Sequence, residues 1–162
     1  LINQFVKKQF IQDYRPTLGI SITNQVYKMQ GFENKLLNFM IWDLAGQKFF
    51  KRVRKSYYKA ANAAFIVYDI TRRETFEDQI IYWYNDLRDI IPDIPVVIVG
   101  NKTDLISERQ VSTQEGQEIA RNLKCSFMET SAKSGENVKD AFSIIGIGLF
   151  FEINPSIHSE DI

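Results

Sequence analysis

The sequence contains one cysteine, Cys125, and one histidine, His158, among 162 residues. A single thiol excludes a disulfide framework and suits a reducing compartment. His158 stands in a polar tail and reads as a solvated residue. Net charge is also lacking: 20 Lys and Arg balance 20 Asp and Glu, so no whole-chain field draws nucleic acid or anionic lipid. The longest apolar runs, 94–100 and 144–151, fall far short of the roughly 20 residues of a membrane-spanning helix. No signal or transit peptide pattern is visible at the start. What is present is 44% hydrophobic, 13% aromatic and 25% charged residues, the balance of one soluble, cytosolic-type globular domain with a core of its own.

Periodicity sets the order of elements. Leu1, Ile2, Phe5, Val6 and Ile11 recur at helical spacing with no capping residue before them, which reads as a helix whose beginning has been cut away. Residues 12–19, with Pro16, read as loop. Alternation over 20–30 and a run at 35–43, separated by a turn at 31–34, predict a hairpin. Residues 44–62 read as loop and then a basic, aromatic helix. Near-continuous apolar runs at 63–69 and 95–101 predict strands buried on both faces. Helices are expected at 75–91, 113–123 and 136–153, a short strand at 126–130, and a polar tail after Pro155. Alternating strands and helices imply an α/β domain over 1–153, with an open, mostly parallel sheet, one antiparallel edge strand and helices on both faces. In such sheets ligands sit beyond the carboxyl ends of the strands.

Four loops there carry unusual residues. Tyr14-Arg15-Pro16-Thr17-Leu18-Gly19 precedes the hairpin. Trp42-Asp43-Leu44-Ala45-Gly46-Gln47 ends it. Asn101-Lys102-Thr103-Asp104 and Thr130-Ser131-Ala132-Lys133 follow the later strands. Singly, each is an ordinary polar turn, and Asn101-Lys102-Thr103 even matches a glycosylation acceptor pattern. Together, in this order and at these places, accident explains them poorly.

These segments, with Ser56-Tyr57-Tyr58-Lys59-Ala60 and Val67-Tyr68-Asp69-Ile70-Thr71, make the chain resemble a small GTPase of the Ras superfamily over essentially 1–152. Trp42, the Tyr57-Tyr58 pair and Thr17-Leu18-Gly19 make it most similar to the Rab branch. The resemblance implies the P-loop NTPase fold and a switch that hydrolyses GTP to GDP in vesicle trafficking or signalling. Guanine offers two adjacent donors that one carboxylate accepts together, so the resemblance places Asp104 on the base edge. It places Asn101 on the base edge and the loop, the stems of Lys102 and Lys133 along the nucleoside, Phe10 against the base, and the N–H of Ala132, presented by the Ser131 turn, on the guanine oxygen. At the phosphate end it implies Thr17 as a direct Mg²⁺ ligand, Asp43 as one acting through water, Gly46 facing the γ-phosphate, and Gln47 orienting the attacking water. Effector, exchange-factor and activating proteins would read residues 12–19, bounded by Gln12 and Gly19, and 43–60, bounded by Asp43 and Ala60.

The sequence departs from that family in its glycines. They stand at 19, 31, 46, 100, 116, 135, 146 and 148, and none begins the Gly-x-x-x-x-Gly-Lys-Ser/Thr loop that holds phosphates. By the resemblance, that loop and the central strand of the sheet fall just before Leu1. Gly146 and Gly148 interrupt the last helix at a cost of about 1 kcal/mol each. The tail, 154–162, carries no cysteine and so no prenylation signal, leaving membranes to be reached through partners or through a tail beyond these residues. A cytoplasmic location is expected, peripheral at membranes. The rival to an enzymatic switch is a pseudo-GTPase serving as an interaction module. Nucleic-acid binding through 51–59 is disfavoured by the neutral chain.

Overall fold

The computed structural model describes residues 1–10, 17, 19–28, 36–44 and 51–153, with side chains from 54 to 151 in the last interval. The turn expected at 31–34 and the tail at 154–162 lie outside the described residues. The order of elements is α1 (Ile2–Lys7), β1 (Ile20–Lys28), β2 (Leu36–Leu44), α2 (Lys51–Tyr58), β3 (Ala64–Asp69), α3 (Glu77–Arg88), β4 (Val96–Asn101), α4 (Thr113–Asn122), β5 (Ser126–Thr130) and α5 (Val138–Ile153), with 3-10 turns at Arg73–Thr75 and Thr103–Glu108.

Strands β3, β4 and β5 form a parallel sheet in that order, with Asp69 opposite Asn101 and Asn101 opposite Thr130. This register brings three carboxyl ends level along one edge. Period-2 alternation explains why β4 is apolar throughout. Val96 and Ile98 pack with Ile80 and Leu87 of α3 and Ile119 of α4, whereas Val97 and Val99 pack with Ile145 of α5. Helices therefore cover both faces. Each such buried Val or Ile contributes about 1.5–3 kcal/mol relative to exposure.

Strands β1 and β2 pair antiparallel from Ile20 opposite Leu44 to Lys28 opposite Leu36. Among the described residues this pair and the parallel sheet are separate hydrogen-bonded units. Aromatic packing joins them instead. The ring of Phe142 on α5 lies 6.1 Å from Phe39 of β2 and 4.9 Å from Phe65 of β3, both edge-on. Phe5 of α1 stacks on Phe142 at 3.7 Å. Gly146 of α5 has a packing reason as well as a propensity cost: a Cβ there would lie 2.9 Å from the Leu37 side chain.

Several helices are shorter than their apolar patterns. α1 stops where Lys8 turns left-handed, with φ 51° and its N–H on the Gln4 carbonyl. α3 ends at Arg88, whose guanidinium donates to the Pro92 and Ile94 carbonyls at 2.6 and 3.0 Å. The N–H groups of Ile90 and Ile91 both bond the Leu87 carbonyl at 3.0 Å, which closes the helix in a turn before Pro92. α4 opens on a capping box in which Ser112 and Glu115 satisfy each other's backbone N–H groups, the arrangement that best secures a helix start. Among the described residues no helix is long and apolar enough to cross a membrane.

Candidate functional site

Two turns meet at the level edge of the parallel sheet. β4 delivers Asn101 and runs into the 3-10 turn carrying Thr103 and Asp104. β5 delivers Thr130 and runs into Ser131, Ala132 and Lys133. The Asn101 Oδ1 accepts from the Thr130 hydroxyl at 3.1 Å and from the Ala132 N–H at 3.0 Å. Those two donors fix the amide with its oxygen inward, which leaves the Nδ2 amide as the group Asn101 presents elsewhere.

Ser131 is fully buried and holds both turns. Its hydroxyl donates to Asp104 Oδ1 at 2.5 Å and accepts from the N–H groups of Lys133 and Ser134 at 3.2 and 3.0 Å. A bond to an ionised carboxylate is among the stronger kinds, about 1.5–3 kcal/mol. It orients Asp104, an exposed residue, and leaves acceptor capacity on both oxygens, since each carries two lone pairs. Thr103 adds a second tie, donating to Glu136 at 2.8 Å.

Glu129 supports the cluster from below. Arg109 grips its carboxylate with two bonds of 2.6 and 3.0 Å, Thr113 adds a third at 3.0 Å, and the Asn137 amide donates to its carbonyl at 2.9 Å. The hydrogen bond to Glu129 outweighs partial burial and raises the Arg109 pKa above its ordinary value.

The structure thus gathers Asn101, Asp104, Ser131 and Ala132 into one hydrogen-bonded cluster, with Lys133 on its rim. Lys102 turns aside, its ammonium lying 2.6 Å from Asp69 at the end of β3. The Ala132 N–H, expected on a guanine oxygen, is engaged by Asn101, so it can serve a base only as a shared, three-centre donor. Phe10 follows α1 and is 50% exposed. Sequence reasoning gave no role to Asp69, Thr103, Arg109 or Glu136. The signal for Asp69 was its place opposite Asn101 on a neighbouring strand, which becomes visible once register is known.

At the other end, the Thr17 hydroxyl donates to Asp43 at 2.9 Å, bringing together the two residues expected near a metal. Both are hard oxygen donors of the kind Mg²⁺ accepts. They occupy only part of an octahedron, and among the described residues no cluster of three or more His, Cys, Asp or Glu could hold a metal. The pair therefore fits Mg²⁺ only where phosphate and water complete the coordination. Gly46, Gln47 and most of 12–19 lie outside the described residues. Trp42, next to Asp43, packs edge-on against Tyr57 of α2 at 5.4 Å.

Comparison with known proteins gives concordant results. The model of the Ras family matches residues 1–147. The human Ras-related protein Rab-4B is 41% identical over 143 residues, covering 88% of this chain and 65% of its own length, and the Rattus norvegicus protein matches equally. Ras-related protein RABA6a of Arabidopsis thaliana is 40% identical over 154 residues, 94% of this chain and 64% of its own. The chain spans about 65% of the length of the curated relatives it matches.

Proposed function

The chain belongs to the Ras family and is Rab-like, and from that premise we propose that the whole protein is a guanine-nucleotide switch that hydrolyses GTP to GDP. The observation carrying this reading is the cluster of Asn101, Asp104, Ser131 and Ala132 beyond the strands' carboxyl ends. Asp104 accepts the two donors of guanine, while adenine has no such pair and leaves the carboxylate unmatched. A site built on hydrogen bonds of this kind discriminates by about 10⁴–10⁵. Asn101 steadies both turns, and Lys102 and Lys133 flank the nucleoside.

Thr17 and Asp43 would hold Mg²⁺ together with phosphate, Thr17 directly and Asp43 through water. When bound, the ion neutralises charge developing on the phosphates. By the same reading Gly46 would face the γ-phosphate and Gln47 would orient the attacking water. Residues 12–19 and 43–60 are the surfaces that effectors, exchange factors and activating proteins read, in vesicle trafficking or signalling at the cytoplasmic side of membranes. Turnover is proposed for a protein that also carries a phosphate-binding loop, which these 162 residues do not contain.

A competition titration of the full-length protein tests base recognition, with GDP expected to displace a fluorescent guanine nucleotide at least about 10³-fold better than ADP. Asp104→Asn should weaken GDP and shift preference toward xanthine nucleotides. Equal competition by ADP and GDP would defeat the reading. Gln47→Leu should slow single-turnover hydrolysis without weakening GTP binding; an unchanged rate would move catalysis to another residue. A full-length protein that binds no nucleotide would be an interaction module instead.

A further inference from the structure

We propose that Asp69 is a positioning residue for base recognition, holding Lys102 and through it the turn that carries Asp104. The proposal rests on the guanine reading above and names a residue to which that reading gives no part.

The geometry is a chain of three fixed links. The first is Asp69 itself. Its Oδ1 accepts from the Thr71 N–H at 2.9 Å and the Thr71 hydroxyl at 2.7 Å, and its backbone N–H donates to the Thr75 hydroxyl at 3.0 Å. The side chain is 12% exposed and cannot swing without breaking these bonds, so Oδ2 is aimed rather than free. The second link is the 2.6 Å pair from Oδ2 to the Lys102 ammonium. Burial opposes the charge on Asp69, yet the bonds from Lys102 and Thr71 and the nearby ammonium outweigh it and hold the carboxyl below its ordinary pKa.

The third link is the backbone. Lys102 sits left-handed at φ 78° and ψ 38°, a conformation that a residue with a Cβ adopts only when its surroundings impose it. From there its carbonyl accepts the Leu105 N–H at 2.9 Å, closing the turn over Thr103 and Asp104. The neighbouring Ile70 N–H donates to the Asn101 carbonyl at 3.1 Å, so β3 and its sequel grip the β4 turn at two successive residues. A lysine held only by water would leave the strained φ without that side-chain anchor.

The test is a double-mutant cycle on the full-length protein, read as the dissociation rate of a fluorescent GDP. Asp69→Asn keeps an acceptor for Thr71 and removes the charge. It should speed dissociation by about tenfold, the effect of losing one charge-assisted bond. Lys102→Met should do at least as much, and the double variant should dissociate no faster than Lys102→Met alone. Multiplied effects would mean that Asp69 acts only on its own turn, and would overturn the proposal. A nucleotide-independent measurement accompanies it: by NMR, the Asp69 carboxyl should titrate below the ordinary aspartate range and move up in Lys102→Met. The same midpoint in both proteins would also overturn it. Equal binding of ADP and GDP by the wild type would instead defeat the guanine reading and remove the premise, whereas retained guanine preference with multiplied effects would remove only Asp69.

Discussion

Strand β4 and the β1–β2 hairpin are built from similar residues and meet opposite surroundings. Val97, Ile98 and Val99 are at most 2% exposed, with helices on either side. Ile22, Val26, Leu36 and Met40 are each more than half exposed. The hairpin register explains the contrast. Ile22 faces Trp42, Asn24 faces Met40, Val26 faces Asn38 and Lys28 faces Leu36, so these side chains share one outer face, which is bare except where Trp42 meets Tyr57. The inner face carries Tyr27, Leu37 and Phe39, packed with Phe5 and Phe150. Residue type therefore does not decide burial here; the number of covered faces does. The half of the chain that carries the cluster of Asn101, Asp104, Ser131 and Ala132 is supported from both sides. The half that carries Thr17 and Asp43 is covered along one face and, on the other, only at the end where Trp42 meets Tyr57 and Leu44 meets the larger core.

The largest expected effect breaks or confirms that contrast directly. Ile98→Ala opens a cavity between β4 and the layer of α3 and α4 and should cost about 2–5 kcal/mol. Val26→Ala on the outer face should change stability by no more than about 0.5 kcal/mol. Urea unfolding of the two variants decides between them, and similar costs would erase the distinction.

Next in size is overpacking where α4 crosses the sheet. A Cβ on Gly116 would lie 2.5 Å from the Phe127 ring and 2.5 Å from the Tyr68 hydroxyl oxygen. Gly116→Ala gains about 1 kcal/mol of helix propensity against an overpacking cost of about 1–3 kcal/mol. The clash is with ring atoms that have little room, so the net outcome should be a loss of about 1–2 kcal/mol and a lower Tm. An unchanged or raised Tm would mean that α4 rides higher on the sheet than its contacts indicate.

Tyr68 offers a smaller effect of opposite sign. Its hydroxyl is buried with no hydrogen-bond partner among the described residues, and burial pushes its pKa far above the usual phenol value. Tyr68→Phe removes a desolvated polar group while keeping the ring against Phe76, 5.0 Å away. Stability should rise by about 1 kcal/mol or stay level. A clear loss in thermal unfolding would show that the hydroxyl has a partner, and that the two-sided core is less dry than described.

Much of this was legible in the sequence, for physical reasons that differ between the halves. Apolar runs announced β3 and β4, and the polar residues after β4 and β5 announced the cluster, because strand period and strand ends are local properties. What could not be read was long-range pairing. Arg109 with Glu129, Thr103 with Glu136 and Asp69 with Lys102 are side-chain partnerships across turns. Charge and hydroxyl content alone allow many such pairings, and only register selects among them. Helix ends were misjudged because the turn closed on the Leu87 carbonyl and the left-handed Lys8 stop helices where apolar spacing still continues.

The smallest expected effect lies at the start of α4, on the covered side of the comparison but at its solvent rim. Glu115 accepts from Arg73 at 2.5 Å and from the Ser112 N–H and hydroxyl at 2.9 and 2.8 Å. The Arg73 bond first, then the capping bonds from Ser112, lower its pKa from 4.5 to about 2. A carboxyl depressed in the folded state binds fewer protons folded than unfolded, so its contribution is complete above pH 4.5 and is lost as pH falls toward about 2. The side chain is 36% exposed, and water and salt screen the pair, which reduces the contribution to on the order of 0.5 kcal/mol. Glu115→Gln keeps an acceptor for the Ser112 N–H and loses the charge. Urea midpoints measured from neutral pH to pH 2 should therefore start slightly lower for the variant and converge with wild type at the acid end. Curves that stay parallel would mean that the capping hydrogen bond alone secures the helix start, and that the charge facing Arg73 contributes nothing to the stability of this half.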